Sequence, residues 1–202
     1  MTKPNLKSEL LMLAHEPMKK FCLANKLPVP EIVIHHSSNW AFKVCAYYRN
    51  DKIHICSQRC ASPGRAGRSW SWPGGPIDRT PYGVVQHETG HHVDVHMSSE
   101  KSRDRYMGDF SKAIREASKE RPLTNYCPNN AEWFAEMFRL FITNPDLLRI
   151  LRPATYKELQ KHFCRSTTKT WKRVLEDAPE RITKMVENKI KKAKKTKQPG
   201  LL

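Results

Sequence analysis

A chain of 202 residues, 39% hydrophobic and 28% charged, is long enough to bury a core and is sized for one domain. Its net charge of +16 favours acidic partners, and no apolar run approaches the roughly 20 residues that cross a bilayer. The apolar run Leu10–Ala14 is short and is broken by His15 and Glu16, so it makes no secretory core, and the chain is expected in the cytoplasm.

From Asn5 to Asn25, Leu6, Leu10, Leu13, Phe21 and Leu23 recur with lysines between them, the pattern of a helix. Pro17 lacks an N–H and is expected to kink or divide it. Three strand patterns follow: Glu31–His35, Phe42–Tyr48 and the alternating Lys52–Cys56, with Arg49-Asn50-Asp51 as a hairpin turn. Together they predict a small antiparallel sheet. Between Ser57 and Thr80, four glycines and three prolines exclude regular structure. Trp70 and Trp72 stand there among Arg65, Arg68 and Arg79, and the loop is expected either to fold over the active-site groove or to be a plain structural insertion.

Thr80-Pro81 then begins a helix, a hydroxyl cap followed by proline at the first helical position, and the helix runs to about Met97. A charged helix is expected over Ser102–Arg121, and a third, capped by Asn129 or Asn130, through Phe141 to the stop at Asn144-Pro145. Further helical patterns cover Pro153–Phe163 and Thr170–Lys192. The fold class predicted is α+β, with a small antiparallel sheet in the N-terminal half and a mostly helical C-terminal half. The domain spans residues 1–180, and residues 181–202 form a basic helix or tail. That tail holds eight Lys and Arg against the single acid Glu187, enough to steer phosphate backbones or acidic proteins by charge alone. A solvated helix end explains the same composition.

Six cysteines are scattered without the dense spacing of a disulfide framework. Cys56 and Cys60 have a spacing that can grip zinc, but no second pair follows, and buried thiols are the simpler expectation.

The chemistry concentrates in His87-Glu88-Thr89-Gly90-His91. Residues four apart share a helix face, so both imidazoles can hold one metal ion while Glu88 reaches a water on it. Such a motif also arises by accident in a histidine-rich chain, so its context matters. Val84 and Val85 before it, and Val93 and Val95 after it, supply a face to pack. A catalytic zinc needs a third protein ligand. His92 and His96 point away from the His87/His91 face, and Asp94 is better placed to hold an imidazole from behind. The extended motif with glycine three residues and histidine six residues after the second histidine is absent, since Asp94 and Met97 stand there. Glu132 remains. Glu132 and Glu136 share one face of a helix otherwise filled by Trp133, Phe134, Met137, Phe138, Leu140 and Phe141. Carboxylates on so apolar a helix need a cation. Glu132 can bind the metal, and Glu136 can accept the remaining N–H of a ligand histidine.

His87-Glu88-Thr89-Gly90-His91-His92-Val93-Asp94, Leu123-Thr124-Asn125-Tyr126 and Asn130-Ala131-Glu132-Trp133-Phe134-Ala135-Glu136-Met137-Phe138-Arg139-Leu140 together resemble the catalytic domain of anthrax lethal factor and its phage-encoded and bacterial relatives. The resemblance covers roughly residues 82–145. It implies a zincin-like fold and a zinc endopeptidase whose third ligand is a glutamate, with a protein or peptide as substrate. It also implies that Tyr126, just ahead of the glutamate helix, assists catalysis, although the spacing is one residue shorter here and Cys127-Pro128 replaces a glycine-containing turn. If the chain is phage-encoded, its compartment is the host cytoplasm. Two other readings compete: a nucleic-acid-associated metalloprotease of the repair or repressor-cleaving type, suggested by the basic tail, and a non-catalytic basic binding module with a relic metal site.

Overall fold

The computed structural model describes residues 6–35, 44–56, 81–100, 108–124, 129–143, 145–163 and 188. The Trp70/Trp72 loop, the Thr80 cap, Cys60, Tyr126, the expected helix at 170–192 and the basic tail lie outside these residues, apart from Asn188. The described elements are helices α1 (Leu6–Ala24), α2 (Pro81–Met97), α3 (Asp109–Ser118), α4 (Asn130–Thr143), α5 (Pro145–Leu151) and α6 (Pro153–His162), and strands β1 (Glu31–His35), β2 (Ala46–Arg49) and β3 (Lys52–Cys56). This is an α+β arrangement, with the sheet in the N-terminal half and helices dominating thereafter.

Helix α1 is not divided at Pro17 but runs through it. The proline forfeits one backbone hydrogen bond, while Met18, Phe21 and Cys22 just beyond it are buried in the core. Burying three such side chains outweighs one lost bond. The helix ends in a Schellman motif. Lys26 sits at φ 56°, the Leu27 N–H reaches the Cys22 carbonyl at 2.9 Å and the Lys26 N–H reaches that of Leu23 at 3.2 Å.

The sheet has the order β1-β3-β2 and is mixed rather than antiparallel. Strands β2 and β3 form the expected hairpin, with Arg49 opposite Lys52 and both turn residues, Asn50 and Asp51, at positive φ (51° and 56°). That is the twist a two-residue hairpin loop requires. Strand β1, however, pairs with β3 in parallel, Val33 opposite His54. Alternation of apolar residues specifies which face a strand buries and says nothing of its direction, which is set by the intervening chain.

Helix α3 is shorter than its charge pattern suggested. It stops at Ser118, where Lys119 turns left-handed at φ 53°. Glu120 is thereby released to accept the Thr155 N–H and hydroxyl, both at 2.8 Å, at the start of α6. Helix α4 is the spine of the molecule: every residue from Trp133 to Thr143 is buried. A helix apolar on all sides must be enclosed, and α2, α3, α5 and α6 enclose it. Phe138 meets Phe21 of α1 edge-on at 4.9 Å and Phe134 at 5.8 Å, which ties α1 to the same core.

The most extensive contact is between α2 and α4, and it is very close at one point. A Cβ placed on Gly90 would lie 2.6 Å from the Ala135 Cα. Since that neighbour is backbone, it cannot swing aside. Gly90→Ala should therefore force the helices apart and lower the urea midpoint by the equivalent of about 1–3 kcal/mol; an unchanged midpoint would show that the crossing is not tight.

Candidate metal centre

Because α2 and α4 cross so closely, side chains one turn apart on each meet face to face. His87 and His91 stand edge to face with ring centroids 5.0 Å apart. Glu132, in the first turn of α4, brings its Oε2 to 3.0 Å from the Nε2 of His87 and 3.6 Å from that of His91. One ligand atom from each of these three residues lies within 4.8 Å of the others. The placement of Glu132 begins at the helix cap, where its N–H donates to the Asn129 Oδ1 at 2.9 Å. Arg115 of α3 steadies the same end, donating to the Asn130 Oδ1 at 2.9 Å.

Glu136, one turn further along α4, accepts from the His87 Nδ1 at 2.8 Å. This fixes the tautomer: with the hydrogen on Nδ1, a neutral His87 directs the Nε2 lone pair at Glu132. Lone pair and carboxylate then face each other at 3.0 Å, an arrangement that only a proton or a metal cation can hold. The donor set of two imidazole nitrogens and a carboxylate oxygen suits zinc, with room in its usual coordination for one more ligand.

Burial is the largest influence on the charged groups here, and the cluster overrides it in three of them. It disfavours an imidazolium, yet the hydrogen bonds to Glu132 and Glu136 raise His87 to about 10 in the absence of a metal. Burial would likewise raise Glu132, but His87 and His91 hold it well below the usual carboxylate range. Glu136, 1% exposed, is held low chiefly by Arg139, which is 0% exposed and donates to both its oxygens at 3.1 and 3.3 Å. Sequence reading overlooked Arg139, although a lone arginine three residues after Glu136 on an apolar helix is the signature of a buried partner. Glu88 differs. Burial raises its pKa, His91 and His87 pull the other way, and the Tyr48 backbone N–H on edge strand β2 donates to its carboxylate.

Asp94 lies close enough to feel the charge of His91, but its hydrogen bonds serve the scaffold. It accepts the Ser111 N–H at 2.8 Å and the Ser98 hydroxyl at 3.5 Å, and it packs so tightly on Gly108 that a Cβ there would displace its carboxylate. Among the described residues it makes no hydrogen bond to His91. His92 and His96 face away from the centre, as their spacing required, and meet the β2–β3 turn instead.

Comparison of the chain with models of protein families, with curated proteins and with solved structures gave no match.

The raised pKa of His87 has a signed consequence for stability. The folded value of about 10 exceeds the ordinary histidine value of 6.5, so its contribution is complete below pH 6.5 and is lost as pH rises toward 10. Protein stripped with a chelator should lose stability between pH 6.5 and 9, by up to about 1.4 kcal/mol per pH unit. Urea midpoints across that interval test this, and a rising profile would contradict it.

Proposed function

We propose that this chain is a zinc-dependent endopeptidase, with His87, His91 and Glu132 as the metal ligands. The observation that carries the reading is the meeting of two Nε2 atoms and one Oε2 from two helices far apart in sequence, with His87 braced from behind by Glu136 and the start of the glutamate helix capped by Asn129. Zinc bound there would lower the pKa of a water toward about 7 and polarise a peptide carbonyl. Glu88 supplies the proton traffic. Its buried carboxylate, raised in pKa and fixed by the Tyr48 N–H, takes a proton from the attacking water and returns it to the leaving amine. Glu136 keeps His87 in the tautomer whose Nε2 can bind a metal, and Arg139 keeps Glu136 ionised. Tyr126 enters only through the resemblance to the lethal-factor motifs, which implies that it would donate to the developing oxyanion.

The substrate in this reading is a protein or an extended peptide, and the compartment is the cytoplasm, a host's if the gene is carried by a phage. Among the described residues no helix is long and apolar enough to cross a membrane. One observation keeps a nucleic-acid-associated protease in view, namely the seven surplus positive charges within residues 181–202. Salt-dependent DNA binding that disappears on deleting residues 184–202 would favour it. A relic site in a binding module is the weaker reading, because Glu88 is present and buried beside the two histidines.

Glu88→Gln should retain the zinc of the wild type, measured by mass spectrometry of the purified protein. It should also cut turnover of casein or a peptide library by about 100-fold or more, the usual contribution of a general base. Full turnover in that variant would remove Glu88 from the mechanism.

A further inference from the structure

The second half of the motif region carries its own pair of histidines. His92 and His96 are also four residues apart on α2, and at about 100° per residue they lie roughly 140° around the helix from the first pair. The residue they meet is Asp51, in the tight turn between β2 and β3. Its Oδ1 lies 2.6 Å from the His96 Nε2 and 3.7 Å from the His92 Nδ1. Tyr48, at the end of β2, brings its hydroxyl to 2.7 Å from the same Oδ1 and 3.1 Å from the His92 Nδ1.

The hydrogens in this cluster can be traced. The His92 Nε2 lies 2.8 Å from the Pro28 carbonyl, which only accepts, so that nitrogen carries the hydrogen and the neutral ring presents its lone pair at Nδ1. The Tyr48 hydroxyl has one proton for two acceptors, the His92 Nδ1 and the Asp51 Oδ1. Whichever it serves, the other contact brings lone pairs together. His92 is fully buried, and one ring N–H is anchored on a backbone carbonyl while its other nitrogen faces the Tyr48 hydroxyl at 3.1 Å and the Asp51 carboxylate at 3.7 Å. That is how proteins orient a histidine that binds metal, and His87 is oriented in the same manner by Glu136.

We propose that Asp51, His92 and His96 form a second metal site, distinct from the His87/His91/Glu132 centre, which takes a borderline divalent cation such as zinc. Two imidazoles and one carboxylate are the donor types such ions select. Ligands about 2.1 Å from a tetrahedral ion stand roughly 3.4 Å apart, so the separations of 2.6 and 3.7 Å from Asp51 each need a shift of less than an ångström, and all three ligand atoms already lie within 4.8 Å of one another. Asp51 is 62% exposed and His96 20%, which leaves the ion a route in and space for a water. The role is structural. An ion here pins the β2–β3 turn to the back of α2, and β2 is the strand whose Tyr48 N–H holds Glu88.

Zinc per chain, measured by mass spectrometry after loading the full chain with zinc and dialysis, tests the assignment. Glu132→Ala should still hold one equivalent, and adding Asp51→Asn and His96→Ala in that background should remove it. Asparagine tolerates the positive φ at position 51, so the turn is kept, and circular dichroism checks the fold. The proposal is overturned if Glu132→Ala holds no zinc, or if the added substitutions leave the count unchanged. Loss of all zinc from the Asp51→Asn/His96→Ala chain with Glu132 intact would instead defeat the His87/His91/Glu132 centre and leave this site standing.

Discussion

The close crossing of α2 and α4 is the constraint on which the rest depends. Gly90 lies against the Ala135 backbone with no space for a Cβ, and that approach lets two short side-chain reaches span the gap. One joins His87 to Glu132 and the other joins His87 to Glu136, at 3.0 and 2.8 Å. Separation of the axes by the width of a methyl group would take both carboxylates beyond bonding distance. The small residues at the crossing and the charged residues around it are one device: the first sets the distance and the second uses it.

Placing charge in such a core is costly, and the arrangement shows how the cost is met. Glu136 and Arg139 are both essentially inaccessible, and each would be untenable alone. Removing one partner of such a pair costs about 3–5 kcal/mol, because the other charge is stranded. A hydrophobic pair would serve stability as well or better. The polar pair has a use beyond stability, which is to hold the His87 ring in one orientation and one tautomer. The cluster of His87, Glu132 and Glu136 is accordingly a place where the fold accepts strain in its electrostatics for the sake of binding a cation, in the function proposed.

Much of this was legible in the sequence because the signals were local. The 3.6-residue period placed His87 and His91 together, the four-residue spacing put Glu132 and Glu136 on one face, and the Asn50-Asp51 turn marked the hairpin. What escaped depended on the path of the chain. The direction of β1 against β3 is invisible in an alternating pattern. The continuity of α1 through Pro17 rests on Met18, Phe21 and Cys22 finding a core built by later segments. Asp94 had the spacing to brace His91 but is taken up by the N–H of Ser111 and the hydroxyl of Ser98, and the helix that brings Ser111 begins fifteen residues further on. The spacing of His92 and His96 turns them away from His87, yet only the folded hairpin reveals that Asp51 awaits them.

The central claim is that two imidazoles and a carboxylate converge in order to hold one ion. The most direct measurement is a crystal structure of the zinc-loaded protein with anomalous data collected on either side of the zinc edge. The account predicts a zinc peak bonded to the Nε2 atoms of His87 and His91 and to a Glu132 oxygen, at about 2.0–2.2 Å from each. Density at the zinc edge elsewhere, with His87 and Glu132 still joined directly by a hydrogen bond, would contradict it.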